Sequence, residues 1–243
     1  MADRPNVLLV LMDTARADAF EPWGAPAGST PVVAELARRG TAFPMAVAPS
    51  SWTVPSHASM FTGLLPRAFG FTPGLWAPRE LRTRMRSLFD RHRDRTLAEV
   101  LRHGGYATGA VSTNPIVNSA TGFSTGFDWF GDPGRTRFTR LQRQRQRAAA
   151  RRGPAGAARR ARDRAAWWRA RDDNGAVHAG RALRRWLDHS GGAKPFFAFV
   201  NLMETHRPYY PPRPWNDLGP AARWQAVGDV FRWQGHIEVV LVS

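Results

Sequence analysis

A carboxylate and a hydroxyl group are the first side chains in this sequence that could take part in catalysis. Asp13 directly follows the apolar run at residues 6–12, and Thr53 lies two residues before Pro55, where a helix is expected to begin. An aspartate at the end of a buried strand can bind a hard cation, and it can equally cap a helix or close a turn. A hydroxyl group near a helix N-terminus lies close to free N–H groups that favour an anionic ester. Thr53 or Ser56 could also simply cap that helix, and a threonine nucleophile needs a metal ion or a base to activate it.

The third chemical segment is PFFAFVNLMETHRPYYPP, residues 195–212. Its apolar first half predicts a buried strand over 196–203, and Glu204 and His206 follow where that strand should end. A histidine beside a rigid, proline-rich loop can act as an acid or contact an anion. It can also do no more than hold a turn.

Strand-like and helix-like segments alternate around these residues. The pattern predicts an α/β fold with a mostly parallel sheet flanked by helices. Ligands in such sheets bind beyond the carboxyl ends of the strands, so Asp13, the loop before Pro55 and residues 204–206 should lie at one edge. The strands are predicted at 6–12, 41–47, 106–112, 196–203 and 237–242, and the helices at 31–39, 55–62, 96–103 and 175–188.

An arginine-rich segment interrupts this alternation. Residues 135–171 contain 14 Arg, no Lys and one acidic residue, Asp163, and they account for 13 of the 16 net positive charges. The segment is interpreted as a helical or disordered insertion in a domain that spans 1–243. Binding of nucleic acid or another polyanion through 135–171 is one interpretation, but the general excess of Arg over Lys favours a solvated Arg/Ala helix.

The remaining composition excludes several classes of protein. The chain has 43% hydrophobic and 22% charged residues, as a globular domain does, and no cysteine, so it cannot form disulfides. Its apolar runs are too short for a signal sequence or a membrane span. We therefore expect a cytoplasmic protein without a membrane partner, and the sequence gives no indication of its oligomeric state.

Five segments, in the order in which they occur, resemble the sulfatase family of the alkaline phosphatase superfamily. RPNVLLVLMDTARAD resembles the opening strand of that family, and TVPSHASMFTGLLP resembles its nucleophile motif, C/S/T-x-P-S-R/H-x-x-x-x-T-G. TLAEVLRHGGYATGAVSTN, GFSTGFDWF and KPFFAFVNLMETHRPYYPP resemble its later helix–strand unit, its Gly-Phe-Asp turn and a strand that ends in a substrate-facing histidine. The resemblance implies an alkaline-phosphatase-like fold and a metal-dependent hydrolase of sulfate or phosphate esters.

The resemblance also implies roles for individual residues. Asp13, Thr14 and Thr53 would bind a divalent metal, with Thr53 as the nucleophile. His57 would replace the arginine that steadies the nucleophile. The substrate, a small anionic ester, would be bound by His206, Glu204 and Asn114, and His206 would also act in catalysis. By resemblance the metal would be Ca²⁺, with Mn²⁺, Mg²⁺ or Zn²⁺ as alternatives.

Several departures from the family pattern affect the expected chemistry. Threonine at position 53 cannot be oxidised to formylglycine, so no formylglycine is expected. Thr113 stands roughly where sulfatases carry an anion-binding lysine, which also favours phosphate over sulfate esters. Relatives follow a strand like the one at 238–243 with an Asp-His or Asp-Asn pair that completes the metal site. The sequence is therefore interpreted as truncated at the C-terminus, and the alternative to an enzyme is an inactive remnant that binds polyanions through 135–171.

Overall fold

The computed structural model describes residues 4–71, 78–131, 175–190, 194–206 and 240–242. The insertion predicted at 135–171 and the loop at 208–212 lie outside these ranges. The described part has five strands: β1 (Val7–Met12), β2 (Ala107–Ser112), β3 (Trp129–Gly131), β4 (Phe196–Leu202) and β5 (Val240–Val242). Its α-helices are α1 (Pro31–Arg39), α2 (Thr53–Thr62), α3 (Pro78–Arg91), α4 (Leu97–His103) and α5 (Ala176–Ser190).

The strands form one sheet in the order β3-β2-β4-β1-β5. The pairs β1–β4, β2–β4 and β2–β3 are parallel, and β5 pairs antiparallel with β1. Helices cover both faces of the sheet: α2 and α3 pack on one, and α5 packs on the other. The predicted α/β fold with a mostly parallel sheet is thus confirmed.

The register of the sheet brings three strand ends to one edge. Met12 of β1 pairs with Leu202 of β4, and Ser112 of β2 pairs with Asn201 of β4. Because these strands are parallel, the residues that follow them emerge side by side. Asp13, Thr113 and Met203 are therefore neighbours although they are far apart in sequence.

The core is divided between the two faces because neighbouring strand residues point in opposite directions. Under α2 and α3, Leu9, Leu11, Phe197 and Phe199 pack with side chains from those helices. Under α5, Val111 and Val200 pack against Ala179. The helix predicted at 175–188 is confirmed as α5, and its Ala179 and Trp186 are both buried.

The Gly-Phe-Asp turn locks β2 to α4. Gly126 has a positive φ of 87°, and a Cβ there would lie 2.4 Å from the Glu99 nitrogen, so this close approach requires glycine. Asp128 accepts a hydrogen bond from the Thr108 nitrogen at 3.1 Å, and the Thr108 hydroxyl donates to the Gly126 carbonyl at 2.9 Å. The contacts of this turn are therefore structural: they join β2 to α4.

The prediction of a strand at 41–47 is wrong. The structure has a turn at Pro44 and Met45 there, and Phe43, Met45 and Val47 are 69%, 84% and 84% exposed. A strand needs a neighbour to pair with its backbone, and within the described residues both edges of the sheet are formed by other strands. Pro44 also lacks the N–H that a paired strand would donate.

The start of one helix also differs from the sequence prediction. Helix α2 begins at Thr53, two residues earlier than predicted. Helix α1 begins at Pro31 as predicted; the hydroxyl of the preceding Thr30 accepts from the Glu21 nitrogen, and the Thr30 nitrogen donates to the Glu21 carboxylate. In the described part of the chain, no helix combines the length and apolar character needed to cross a bilayer.

Two glycine-to-alanine substitutions should affect stability in opposite directions. A Cβ at Gly109 would lie 2.5 Å from the Trp186 ring, so Gly109→Ala should destabilise the fold by about 1–3 kcal/mol. Gly180 lies in α5 with no heavy atom within 4 Å of an added Cβ, so Gly180→Ala should stabilise by about 0.5–1 kcal/mol. Urea unfolding of both variants checks the pair, and equal effects would contradict the packing of Trp186 on β2.

Candidate active site

The carboxylate of Asp13 lies at the centre of a buried polar cluster. Asp13 is fully buried, and its nitrogen continues the β1–β4 ladder by donating to the Leu202 carbonyl at 2.9 Å. The Thr53 Oγ1 lies 3.2 Å from Oδ1 and 3.4 Å from Oδ2 of Asp13. The Asn114 amide donates to Oδ2 at 2.5 Å. The structure thus brings together three of the residues selected from the sequence.

Thr53 is positioned by a polar helix that is buried on nearly all sides. It is the first residue of α2, and nine of the ten residues of that helix are buried. Polar groups in such a helix must find partners inside the protein. The Thr62 hydroxyl donates to the Ala58 carbonyl at 2.6 Å, and the Thr53 hydroxyl donates to Asp13. The Thr53 side chain thus points toward Asp13, at the end of β1.

The charge of Asp13 is not balanced by a cation within the described residues. No ion pair of the described part includes Asp13, and its hydrogen-bond donors, Thr53 and Asn114, are both neutral. A buried carboxylate usually needs a positive partner or a metal ion. Asp18, five residues on, is exposed and paired with Arg16, whose hydrogen bond lowers the pKa of Asp18.

The donor atoms around Asp13 suit a hard cation in part. Carboxylate and hydroxyl oxygens are ligands that Ca²⁺ and Mg²⁺ accept, and the oxygens of Asp13 and Thr53 lie close enough to share one ion. Asn114 turns its amide nitrogen toward Asp13, while its oxygen accepts from the Ile116 nitrogen at 2.8 Å. No group of three His, Cys, Asp or Glu side chains suited to a metal occurs in the described ranges. Asp13 and Thr53 would therefore supply part of the oxygen ligands that a hard cation needs.

Thr14 turns the chain sharply after Asp13. It has a φ of 61°, the one positive φ among the described non-glycine residues, and β-branched residues rarely adopt it. Such strain costs about 1–3 kcal/mol and persists only where the surroundings impose it. Here the Thr14 hydroxyl donates to the Thr205 carbonyl at 3.1 Å, and the Thr205 hydroxyl donates to the Asp13 carbonyl at 2.9 Å. Thr205 was not selected from the sequence, where nothing distinguishes it from other loop threonines.

Thr113 joins the ends of two strands. Its nitrogen and hydroxyl both donate to the Asn201 carbonyl, at 3.0 and 3.2 Å, and its hydroxyl accepts from the Met203 nitrogen at 2.9 Å. Thr113 is also buried. Its hydroxyl is therefore used for backbone contacts between β2 and β4.

His57 faces the interior of the protein. Its ring is fully buried and lies edge-on to Phe123 and Phe199. The ring Nδ1 lies 2.7 Å from the backbone carbonyl of Thr53, so its contact with the predicted nucleophile is made to the main chain. In the structure His57 therefore contacts the backbone of Thr53 and not its hydroxyl.

Glu204 and His206 follow the end of β4 in a turn. The Glu204 carboxylate accepts the Ala176 N–H at 2.8 Å, at the first residue of α5, where a negative charge is favourable. His206 is half-buried, and its nitrogen donates to the Met203 carbonyl at 3.1 Å. Both residues lie on the edge of the sheet that carries Asp13, and their predicted contacts with a substrate stay predictions.

The chain is similar in sequence to proteins of the sulfatase family. The sulfatase family model matches residues 5–218. Arylsulfatase A of Bos taurus is 36% identical over 108 residues, which are 44% of this chain and 20% of the relative. N-acetylgalactosamine-6-sulfatase of Sus scrofa is 32% identical over 138 residues, which are 53% of this chain and 26% of the relative. The chain thus spans about a fifth to a quarter of the length of these curated relatives.

A solved structure shares the fold. The phosphonate monoester hydrolase of Agrobacterium radiobacter superposes with a TM-score of 0.50 at 21% sequence identity, covering 88% of this chain and 43% of that chain. At this identity the likeness concerns the fold, including the parallel sheet whose edge carries Asp13. Together with the family match over most of its length, the ordered motifs and the α/β architecture show that this chain belongs to the sulfatase family.

Proposed function

We propose that this chain carries the nucleophile of a metal-dependent hydrolase of anionic esters, with Thr53 as the nucleophile. The observation that carries the proposal is the 3.2 Å approach of the Thr53 hydroxyl to the buried Asp13 carboxylate at the carboxyl edge of the sheet. The sulfatase family and the named relatives support ester hydrolysis as the class of reaction. Thr14 joins Asp13 and Thr53 in the proposed metal site.

Phosphate or phosphonate esters are the proposed substrates, in preference to sulfate esters. Threonine cannot form the formylglycine that typical sulfatases use. The hydroxyl of Thr113 bonds to backbone groups of Asn201 and Met203. The structural neighbour is named for hydrolysis of phosphonate monoesters. Threonine can attack phosphorus directly once its hydroxyl is activated.

The residues of the chain divide the reaction between them. Asp13 accepts the hydrogen bond of the Thr53 hydroxyl and so fixes the direction of its lone pairs. A divalent cation bound by Asp13 and Thr53 would supply a lower pKa for that hydroxyl and neutralise charge on the ester. The Thr53 hydroxyl passes its proton to the Asp13 carboxylate that accepts its hydrogen bond, and its oxygen forms a bond to phosphorus while the bond from phosphorus to the leaving oxygen breaks in line. His206 is the candidate for giving that oxygen its proton, and water then hydrolyses the phosphothreonine.

The start of α2 adds a second stabilising influence. The first turn of the helix has N–H groups without partners in the helix, and the helix dipole is positive at this end. An anionic ester at Thr53 would meet both, a gain of about 1 kcal/mol. This supports Thr53 over the other buried hydroxyl groups of the helix.

Removal of the Thr53 hydroxyl should abolish turnover. In the presence of Ca²⁺, Mg²⁺, Mn²⁺ or Zn²⁺, Thr53→Ala should lower kcat/KM for an aryl phosphate by at least about 1,000-fold, because no other group can form the covalent intermediate. Thr53→Ser keeps a hydroxyl and should retain measurable activity. Aryl phosphonate and aryl sulfate assays in parallel identify the preferred ester.

Thr62→Ala is the matched control for that substitution, since Thr62 lies at the other end of α2 and its hydroxyl bonds to the Ala58 carbonyl and the Leu64 nitrogen, away from Asp13. It should lose about 1 kcal/mol of stability and keep its activity. Activity of Thr53→Ala equal to that of the parent would remove Thr53 from the mechanism.

Divalent cation binding should depend on the charge of Asp13. Asp13→Asn keeps the shape of the side chain but removes its charge, so calorimetry should show binding weakened by at least about tenfold. Thr14→Asp should strengthen binding, because it adds a carboxylate and because aspartate tolerates positive φ better than threonine. Asp18→Asn, which alters an exposed acid, should leave the affinity unchanged. Equal affinity in all three variants would place the cation elsewhere.

A further inference from the structure

A buried histidine and a buried asparagine form a chain of hydrogen bonds beneath Thr53. The Nδ1 of His57 lies 2.7 Å from the Thr53 carbonyl oxygen, and its Nε2 lies 2.8 Å from the Asn201 amide nitrogen. Both side chains are fully buried. A carbonyl oxygen can only accept, so Nδ1 carries the proton, and Nε2 of the neutral ring then accepts from the amide. The two contacts define one tautomer of His57.

The surroundings hold the imidazole in this orientation. The rings of Phe123 and Phe199 stand nearly perpendicular to it, with centroids 6.0 and 6.3 Å away. No aqueous partner is needed to satisfy either ring nitrogen. Because the His57 ring is fixed by these contacts, a shift of the Asn201 amide would also shift the main chain of Thr53.

Asn201 lies at the junction of all the elements that form the site. It belongs to β4, between β1 and β2, and pairs with Leu11 on one side and Ser112 on the other. Its backbone carbonyl accepts from Thr113, directly before the Asn114 that contacts Asp13. Its side chain contacts His57 of α2. One residue thus contacts both the strand end and the helix whose polar groups meet at Asp13.

The asparagine side chain has one hydrogen-bonding contact in the described part of the chain. Its Oδ1 is buried there without a partner, which costs stability that an apolar side chain of similar size would avoid. The amide therefore adds nothing to the core except its bond to His57. This indicates that the bond itself is the contribution of the side chain.

We propose that Asn201 is a positioning residue that acts through His57. By donating to Nε2 it holds the tautomer whose Nδ1–H binds the Thr53 carbonyl, and this fixes the first turn of α2 so that the Thr53 hydroxyl faces Asp13. The proposal rests on the proposed function of Thr53. In this proposal Asn201 and His57 position the nucleophile and do not contact the substrate.

A double-mutant cycle tests whether the two residues act as one unit. Asn201→Leu and His57→Phe should each lower kcat by about 10- to 100-fold, since small displacements of a nucleophile cost this much, while KM changes by no more than about twofold. The double variant should be no slower than the slower single variant. Losses that multiply would overturn the proposal, because independent structural damage adds in free energy.

Replacements of His57 separate its two contacts. Asparagine at position 57 can place a donor where Nδ1 lies, and glutamine reaches toward the position of Nε2. His57→Asn should therefore keep more kcat than His57→Gln at equal melting temperature. The reverse order would show that the bond to the Thr53 carbonyl is not what positions the helix.

A measurement without turnover separates this proposal from the proposed function. ¹⁵N NMR of the histidine rings in the whole chain, at one fixed pH, should show His57 protonated at Nδ1 and unprotonated at Nε2, and Asn201→Leu should shift its Nε2 signal. The same cycle on urea midpoints should be non-additive. An Nε2–H tautomer, or additive midpoints, would overturn the link even if the enzyme is active. A parent chain that hydrolyses no ester but passes both measurements would reject the function and keep the link.

Asn6→Leu is the matched control. Asn6 also bonds to β4, through the Phe196 nitrogen at 3.0 Å, but it is exposed and lies at the opposite edge of the sheet from Asp13. It should change kcat by less than about twofold and combine additively with His57→Phe. Coupling of Asn6 to His57 as strong as that of Asn201 would show a general effect of the strand.

Discussion

The site depends on one electrostatic constraint, a carboxylate held out of water at the end of a central strand. Asp13 has no exposed surface, and the groups that contact it, from α2 and from the segment after β2, are neutral donors. Each donor offsets part of the cost of burying the charge, and a cation would offset more. The positions of Thr53 and Asn114 follow from this constraint, because both side chains must turn inward to reach the carboxylate.

The elements around the carboxylate form an interlocked set. Parallel pairing of β1, β4 and β2 fixes the edge at which they end, and Thr113 and Thr205 join the segments that follow these strands. Helix α2 is tied to the same edge by the bond from Thr53 to Asp13, and to β4 by the bond between His57 and Asn201. The rigidity of the site thus comes from bonds between loops and strands as much as from the packing of Leu, Val and Phe. A hydroxyl group held in this way is already oriented in the absence of a ligand, and such positioning is one way in which a site lowers a reaction barrier.

Much of this was accessible from the sequence. Continuous apolar runs predicted β1 and β4, and the parallel rule for α/β sheets predicted that Asp13 would lie near the loop before Pro55. The strand expected at 41–47 failed because an apolar alternation says nothing about whether a partner strand exists. Asn201 and Thr205 were not selected either. Their roles depend on register and on a positive φ at Thr14, and neither quantity has a signature in a single sequence.

The polar character of buried α2 has a consequence for how the protein reaches its native state. Two of its side chains have partners far along the chain: Thr53 bonds to Asp13, 40 residues away, and His57 bonds to Asn201, 144 residues away. An isolated segment with this sequence would gain little by burying its hydroxyl and imidazole groups. Contacts so distant in sequence form slowly and late, because closing the loops between them costs chain entropy. Partly folded chains would therefore lack an ordered Thr53, and its hydroxyl would meet Asp13 only once the whole sheet has assembled.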